Sequence, residues 1–285
     1  MQIIDGKKVS KEIRENLKGK IKELNEKREY PLKLVVVIVG NDPASEIYVS
    51  NKSKACEEVG ISSETVKLPE STTQNELELI LRNYASDEKT DGILLQLPLP
   101  KHLDENSALK IIPDEKDVDG FSAGNMGKLA QFKKDAVNSC TPKGIITLLK
   151  YYGVEMSGKH AVVVGRSNIV GKPMALMLLK ENCTVTVCHS KTEDLGKYTS
   201  TADILVVAVG KKHLIKADMV KDGVVVVDAG INRENGKIYG DVDFENVSEK
   251  ASFITPVPGG VGPMTITSLL MNTYEIGLNK LNENR

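Results

Sequence analysis

Two side chains that can move protons, Tyr48 and Lys52, lie four residues apart in a segment with the features of a helix. Asp42 is placed to cap this helix, Pro43 suits its first position, and Gly60 suits its end. A spacing of four puts the tyrosine and the lysine on one helical face. A lysine partly removed from water has a lowered pKa and serves as an acid or base near neutral pH. The open alternative is a lysine that buries its stem and extends its amine to water.

A third polar side chain, Gln96, directly follows the apolar run Ile93–Leu95, which is typical of a buried strand. In open α/β sheets, ligands bind outside the carboxyl ends of the strands, so Gln96 is a candidate for a contact with a bound molecule. Pro98 and Pro100 follow and restrict the backbone at this point. A polar residue that only ends a strand is the alternative that position alone leaves open.

The turn Asp117–Gly120 carries two aspartates, Asp117 and Asp119. Their spacing is also seen in metal-binding loops, but no further ligand pattern follows, and we therefore predict no metal site. One aspartate in such a loop can instead bind an amidine-like heterocycle through paired hydrogen bonds.

A glycine-rich turn joins a predicted strand, Ala161–Val164, to a predicted helix, Met174–Leu179. Gly165 ends the strand and Gly171 opens the helix. Such a turn leaves backbone N–H groups free at a helix N-terminus, which is a binding site for a phosphate. The spacing differs from the common G-x-G-x-x-G pattern, so an ordinary tight turn between strand and helix remains the alternative.

The next predicted strand, Thr184–Cys188, indicates which nucleotide this turn would bind. NAD-binding units hold the ribose 2′-hydroxyl with a carboxylate at the end of this strand. Here the strand is followed by His189, Ser190, Lys191 and Thr192, without a carboxylate. Serine, lysine and the nearby Arg166 favour a 2′-phosphate, so we predict NADP rather than NAD. A solvated polar turn is the alternative reading.

The remaining pattern predicts an α/β fold in two parts. Strands and helices alternate over residues 32–97, which indicates a parallel sheet with helical crossovers. Residues 122–138 are predicted to be a loop, and a domain boundary is placed near Ser139. Later strands are predicted at Ile204–Val209, followed by Gly210, and at Val224–Asp228. A rigid loop is predicted at Pro256–Thr265, followed by a final helix.

The composition restricts the class of protein. The chain has 285 residues, 40% of them hydrophobic and 27% charged, with a formal net charge of −1. This balance gives no reason to expect nucleic acid or an anionic membrane as a partner. The four cysteines form no C-x-x-C pair, so we expect reduced thiols without a disulfide or zinc role. No signal sequence or membrane-spanning run is evident, and a cytoplasmic protein is expected.

Seven stretches occur in an order that carries a family resemblance: YVSNK, QLPLP, DVDGF, CTPKG, GRSNIVGKP, HSKT and PVPGGVGPMT. Together they resemble the methylenetetrahydrofolate dehydrogenase/cyclohydrolase family, the FolD family, over essentially the whole chain. The resemblance implies NADP-dependent oxidation of 5,10-methylenetetrahydrofolate to 5,10-methenyltetrahydrofolate, followed by hydrolysis to 10-formyltetrahydrofolate.

The resemblance also implies the architecture. It predicts an N-terminal parallel-sheet α/β catalytic domain and a C-terminal Rossmann-type NADP-binding domain, with a cleft between them. We expect the catalytic domain at residues 1–139, completed by a C-terminal helix at 266–285, and the NADP domain at 140–265. It further implies a homodimer that forms through the NADP domain.

The family's functional residues transfer to this chain position by position. Lys52, Tyr48 and Gln96 match the family's catalytic set. This match favours a catalytic role for Lys52 over a lysine that only extends its amine to water. Asp119, Gly259, Gly260 and Pro263 match the folate side, together with Tyr48. The NADP-binding set comprises Gly165, Arg166, Ser167, Gly171, His189, Ser190, Gly210 and Ile231.

The chain departs from the common family pattern at two places that bear on these predictions. Ser122 and Ala123 stand where many members have His-Pro, near the expected folate mouth, and Ala229 replaces a common valine. The alternatives are a monofunctional NAD(P)-dependent dehydrogenase of the same family, a dehydrogenase similar to shikimate dehydrogenase, and a non-catalytic nucleotide-binding protein.

Overall fold

Two parallel sheets organise the chain in the computed structural model, which describes residues 1–283. The strands in this range, in chain order, are β1 (Gln2–Ile3), β2 (Lys33–Val39), β3 (Ser62–Leu68), β4 (Gly92–Leu95), β5 (His160–Val164), β6 (Thr184–Cys188), β7 (Ile204–Val207), β8 (Val225–Asp228), β9 (Asn232–Glu234), β10 (Lys237–Tyr239) and β11 (Phe253–Ile254). The helices are α1 (Gly6–Asn25), α2 (Pro43–Val59), α3 (Gln74–Ser86), α4 (Glu105–Leu109), α5 (Ala123–Ala130), α6 (Cys140–Tyr151), α7 (Gly171–Lys180), α8 (Leu195–Thr199), α9 (Phe244–Ser248) and α10 (Val261–Glu283).

The chain divides into two units, each built around one sheet. The six-stranded unit comprises Met1–Lys11 and Ser139–Thr265, and the three-stranded unit comprises Glu12–Asn138 with the residues from Ile266 on. The predicted division placed residues 1–139 together. The first residues instead group with the later part of the chain, because Gln2 and Ile3 pair with β11 in parallel.

The sheet of the six-stranded unit has the order β1-β11-β8-β7-β5-β6, and all of its neighbouring strands are parallel. Its central strands β7 and β8 are buried along their whole length, and so are the apolar residues of β5. Unbroken valine-rich runs suit strands that are covered on both faces, as the sequence predicted for Ala161–Val164. A short antiparallel hairpin, β9–β10, follows β8.

The sheet of the three-stranded unit has the order β3-β2-β4 and is also parallel. Alternate residues of β2 and β4, among them Val35, Val37, Ile93 and Leu95, pack with Leu77 of helix α3 in one buried apolar cluster. This helix begins with a capping box, since Thr73 and Glu76 bind each other's backbone N–H groups. The core therefore fixes the carboxyl end of β4, where Gln96 lies.

Three local predictions were wrong. Helix α10 begins at Val261, inside the loop predicted at Pro256–Thr265, so that loop is shorter than predicted. Residues 122–138, predicted as a loop, contain helix α5, because the Ser122 hydroxyl caps it by accepting a hydrogen bond from the Asn125 backbone N–H at 3.1 Å. The two glycines in this segment hid the helical pattern. Strand β7 ends at Val207, two residues before the predicted end, so Val209 lies in the following loop.

Candidate functional site

Helix α2 positions Tyr48 and Lys52 in the three-stranded unit. Its N-terminus is capped by Asp42, whose carboxylate accepts a hydrogen bond from the Ser45 N–H at 2.8 Å. Its C-terminus ends at Gly60, which has the left-handed conformation (φ 88°) that terminates helices. Val49, Ala55 and Val59 of this helix are buried. Tyr48 and Lys52 are half-buried one turn apart. The helix therefore presents both polar groups at the margin of the unit's core.

Lys52 contacts Gln96 directly. Its ammonium nitrogen donates a hydrogen bond to Oε1 of Gln96 at 3.0 Å. The amide nitrogen of Gln96 donates to the carbonyl oxygen of Leu97 at 2.7 Å. Because both ends of the amide are bound, Gln96 is held in one orientation and in turn holds the lysine at the carboxyl end of β4. The peptide bond from Leu97 to Pro98 is cis.

Asp119 is carried by a turn that a neighbouring carboxylate organises. Asp117 is 4% exposed, and its oxygens accept hydrogen bonds from the Gly120 N–H at 3.0 Å, the Ser122 N–H at 2.7 Å and the Asn125 amide at 3.1 Å. An ionised carboxylate that accepts three such bonds is a strong local anchor. From the sequence, Asp117 was considered as a metal ligand or as a contact to a heterocycle, and not as an anchor of the turn. Its place at the start of a D-x-D-G turn is the signal for this anchoring role.

The same turn is held by the final helix. The buried side chain of Asn272, in α10, donates hydrogen bonds to the carbonyl oxygens of Val118 at 2.7 Å and Asn138 at 2.9 Å. The backbone on the N-terminal side of Asp119 is therefore fixed by Asn272, and the backbone on its other side by Asp117. Sequence reasoning did not identify Asn272, because one asparagine within a long helix carries no pattern of its own.

In the six-stranded unit, the predicted cofactor turn is closely packed at its glycines. Gly165 has a φ of 133°, and a β-carbon there would lie 2.5 Å from the carbonyl oxygen of Ala208. A β-carbon on Gly171 would lie 2.3 Å from the carbonyl oxygen of Gly165. Both distances are shorter than atomic contacts allow, so the turn requires glycine at these two positions.

The polar residues of the cofactor set surround this turn. Arg166 and Ser167 are exposed, and the Ser167 hydroxyl accepts hydrogen bonds from the backbone N–H groups of Val170 at 3.2 Å and Gly171 at 3.3 Å. The structure thus places Arg166 and the start of helix α7 next to the carboxyl end of β5.

The turn after β6 is also ordered by its own polar groups. The His189 backbone N–H donates to the Thr192 hydroxyl at 2.9 Å, and Nδ1 of the same histidine accepts from the Lys191 N–H at 3.2 Å. Ser190 and Lys191 are exposed at the tip of this turn. No carboxylate stands among these four residues, and the exposed groups suit a phosphate.

Gly210 and Ile231 follow the neighbouring strands β7 and β8. Gly210 is exposed with a φ of 67°, and Ile231 is 45% exposed although it is a large apolar residue. Both lie at the carboxyl edge of the parallel sheet, the edge at which such sheets bind ligands.

The predicted folate-loop residues Gly259, Gly260 and Pro263 also belong to the six-stranded unit, whereas Tyr48, Lys52, Gln96 and Asp119 belong to the three-stranded unit. The Gly259 carbonyl oxygen accepts a hydrogen bond from the Lys7 N–H at 3.1 Å. A β-carbon on Gly6 would lie 1.7 Å from the carbonyl oxygen of Gly260. Gly6, which sequence reasoning missed, thus permits the loop to lie against the start of α1.

We expect Gly6→Ala to displace the Gly259–Gly260 loop and to lower the free energy of unfolding by about 1–3 kcal/mol, the usual cost of overpacking. Thermal unfolding followed by circular dichroism measures this effect. Gly19→Ala is the matched control, because Gly19 is exposed on the same helix and, apart from that helix's own backbone, no other described part of the chain lies within 4 Å of the added β-carbon. The control should be neutral or stabilising, as alanine is the better helix former. Equal unfolding temperatures for Gly6→Ala and the native chain would contradict the close contact.

A pair of buried carboxylates, Asp228 and Asp241, lies at the end of β8. Burial raises the pKa of Asp228 to about 6, and the neighbouring Asp241 adds to the rise, against three hydrogen bonds from backbone N–H groups. A carboxyl whose pKa is raised on folding stabilises the fold while it is protonated, and that contribution is lost as the pH rises.

Stability should therefore fall between about pH 4 and about pH 6 through Asp228, by about 3 kcal/mol at about 1.4 kcal/mol per pH unit. Urea unfolding of the native chain and of Asp228→Asn, compared at several pH values, isolates this contribution, since other titrating groups are common to both. The difference in unfolding free energy should change across this window in favour of the variant and become constant above it. A difference that stays constant from pH 4 to pH 7 would refute the assignment.

The described part of the chain shows no group of three or more His, Cys, Asp or Glu side chains that could hold a metal ion. The four cysteines are buried and form no disulfide, and burial raises the pKa of the Cys56 thiol to about 12. Among the described helices, none combines the length and the apolar composition needed to cross a membrane.

Comparison with known proteins covers both units. The family model described as tetrahydrofolate dehydrogenase/cyclohydrolase, catalytic domain, matches residues 4–119, and the model for the NAD(P)-binding domain of the same family matches residues 139–281. A protein from Francisella philomiragia subsp. philomiragia named "Bifunctional protein FolD" is 54% identical over 275 residues, which cover 96% of this chain and 98% of the relative.

Two solved structures show the same fold. The bifunctional enzyme FolD from Campylobacter jejuni has a TM-score of 0.96 at 51% identity, covering 98% of this chain and 99% of the other. The Trypanosoma brucei FolD, a methylenetetrahydrofolate dehydrogenase-cyclohydrolase in complex with NADP cofactor and an inhibitor, has a TM-score of 0.93 at 36% identity, covering 98% and 97%. These proteins share the two-domain α/β architecture that the sequence predicted.

Proposed function

Because the chain belongs to the tetrahydrofolate dehydrogenase/cyclohydrolase family, we propose which of its side chains carry out the two reactions of that family. The protein is a bifunctional enzyme of one-carbon metabolism. It oxidises 5,10-methylenetetrahydrofolate to 5,10-methenyltetrahydrofolate with NADP, and it hydrolyses the product to 10-formyltetrahydrofolate. The three-stranded unit carries the proposed catalytic side chains, and the six-stranded unit carries the proposed NADP site.

The 3.0 Å hydrogen bond between Lys52 and Gln96 is the observation that supports the proposed catalytic centre most strongly. The methenyl substrate is already an electrophilic cation, so its hydrolysis requires a positioned water molecule and proton transfer rather than a strong nucleophile. Lys52 is the acid–base group in this proposal. Gln96 orients its amine, and Tyr48, one turn earlier on the same helix face, packs beside the folate.

Asp119 is proposed to bind the pterin ring. A carboxylate can accept two parallel hydrogen bonds from an amidine-like heterocycle, provided that the carboxylate is held still. The contacts of Asp117 and Asn272 to the surrounding backbone provide this rigidity. Gly259, Gly260 and Pro263 are proposed to complete the folate side. Ser122, the departure from the common His-Pro, serves as the cap of α5.

The residues of the six-stranded unit fit NADP. The absence of β-carbons at Gly165 and Gly171, where the turn is closely packed, is proposed to let a pyrophosphate approach the backbone at the start of helix α7. Exposed Arg166 and Ser190 are proposed to bind the 2′-phosphate, with Ser167 and His189 completing this edge, and Gly210 and Ile231 lie at the nicotinamide end. Hydride acceptance is the chemistry of the cofactor itself, and the protein supplies its alignment.

A spectrophotometric assay tests both activities. Purified protein is mixed with 5,10-methylenetetrahydrofolate and either NADP or NAD, and reduced cofactor and methenyltetrahydrofolate are followed separately. Accumulation of reduced NADP while methenyltetrahydrofolate stays low is expected when both reactions proceed. Equal accumulation of both products would indicate a dehydrogenase without effective hydrolysis. Absence of reduction with either cofactor would contradict the dehydrogenase function.

Homodimerisation through the six-stranded unit, a cytoplasmic location and a role in purine biosynthesis are further parts of the proposal. The surface support for the dimer is strand β6, which lies at the sheet edge with Val187 40% exposed. An edge strand with exposed apolar side chains is suited to pairing with a second copy. The molar mass from light scattering would decide between monomer and dimer.

The proposed role in purine biosynthesis rests on the product of the second reaction. Purine synthesis requires a formyl donor, and 10-formyltetrahydrofolate is one.

A further inference from the structure

Asp241, a residue outside the set transferred from the family, holds two loops of the six-stranded unit at once. Its side chain is fully buried, and its carboxylate accepts four hydrogen bonds. Three come from consecutive backbone N–H groups, of Val209 at 2.7 Å, Gly210 at 3.0 Å and Lys211 at 2.7 Å. The fourth comes from the Asn232 side-chain amide at 2.9 Å. One carboxylate thus anchors the loop after β7 and the loop after β8.

Each of these loops exposes an apolar side chain at the carboxyl edge of the sheet. Val209 is 39% exposed and Ile231 is 45% exposed. The Val209 side chain also borders the cofactor turn, because its Cγ1 atom lies 3.7 Å from the place of a β-carbon on Gly165. Branched apolar side chains beside a dinucleotide turn suit one face of a planar aromatic ring, while the charged phosphates bind elsewhere.

The burial of Asp241 explains why a carboxylate stands at this point. A buried charge is costly unless hydrogen bonds replace its hydration, and here four donors do so. The carboxylate also fills the space beside Gly230, where a β-carbon would lie 2.1 Å from its Cγ atom. A neutral amide of the same shape would direct its NH₂ group at backbone N–H donors and would release at least one loop.

From these contacts we infer that Asp241 is a positioning residue for the dehydrogenase reaction. It holds Val209 and Ile231 so that their side chains contact the nicotinamide end of NADP. This inference rests on the proposed function, in which Gly210 and Ile231 belong to the cofactor site. Asp241 itself touches neither NADP nor folate in this arrangement and acts only through the two loops.

The test is Asp241→Asn, assayed for both activities at a temperature at which circular dichroism shows the variant to be folded. We expect the KM for NADP to rise about tenfold, which corresponds to the loss of about 1.4 kcal/mol of binding. Hydrolysis of methenyltetrahydrofolate requires no NADP and should stay within about twofold of the native rate. Asp243→Asn, two residues along the chain and half-buried, is the matched control and should leave both values unchanged.

An unchanged KM for NADP in folded Asp241→Asn would overturn the inference, because a purely structural carboxylate lowers stability without moving this constant. If the variant does not fold, Asn232→Ala decides, since it removes only one of the four hydrogen bonds and the residue is half-buried. A rise of about threefold in the KM for NADP is then expected, and no change would overturn the inference. Failure of the native chain to reduce NADP would instead refute the proposed function.

Discussion

Replacement of Lys52 by methionine should abolish the hydrolysis of methenyltetrahydrofolate and leave NADP binding intact. Methionine keeps most of the length of the lysine stem but cannot transfer a proton or donate to Gln96. A positioned acid–base group contributes about 100- to 10,000-fold to a rate, and a loss of this size is expected. The hydrolysis rate is followed by the disappearance of methenyltetrahydrofolate, and NADP binding is measured by calorimetry. The two measurements report on different units of the chain.

Lys54→Met is the control for this experiment. Lys54 is exposed on the same helix, two residues along, so its replacement changes the net charge equally without touching Gln96. The control should retain full hydrolysis. Full hydrolysis in Lys52→Met would refute the catalytic role of the lysine. It would favour the alternative in which Lys52 buries its stem and only extends its amine to water. Loss of NADP binding in the same variant would indicate damage beyond the catalytic centre.

Replacement of Gly171 by alanine should have the opposite effect: NADP binding should weaken, while hydrolysis of methenyltetrahydrofolate should continue. The added methyl group would lie 2.3 Å from the Gly165 carbonyl oxygen and 2.7 Å from the Arg166 N–H nitrogen, so the cofactor turn must move. Overpacking of this kind costs about 1–3 kcal/mol. A cost of that size, borne by the turn that binds the pyrophosphate, weakens NADP binding by about 10- to 100-fold. Dehydrogenase activity at a fixed low NADP concentration should fall by the same factor, while hydrolysis continues.

The control is Gly196→Ala in helix α8 of the same unit. A β-carbon on Gly196 would meet its nearest atoms at 3.7 and 3.8 Å, which are ordinary contact distances. NADP binding should therefore be unaffected there. Native NADP affinity in Gly171→Ala would show that the turn does not bind the cofactor. Loss of hydrolysis together with NADP binding would show that the two activities cannot be separated by local changes in the two units.

The parts of the fold that the sequence predicted correctly have local signals. Helix α2 was predicted from Asp42, Pro43 and Gly60, and all three act as expected. The buried strands followed from their valine-rich runs, since a strand covered on both faces has no polar side. The contact between Lys52 and Gln96 joins residues 44 positions apart, and only the family resemblance linked them before the structure did.

The parts that the sequence did not predict depend on long-range contacts. Strand β1 has two residues and forms only because β11 offers a free edge. In the sequence, Asp241 and Asn272 have no feature that distinguishes them from other polar residues. Their role becomes visible only in the folded chain, because the backbone groups that they bind are distant in sequence. Helix α5 was missed because two glycines lower its helical propensity, while its Ser122 cap and buried Leu129 stabilise it.

The division of the chain has a consequence for the order in which the protein is made. The six-stranded unit needs both the first residues and strand β11, and the three-stranded unit needs the helical residues from Ile266 on. Neither unit can therefore be completed during synthesis until strand β11 has left the ribosome. Cutting the gene between codons 138 and 139 yields two fragments that each lack a piece of their own fold.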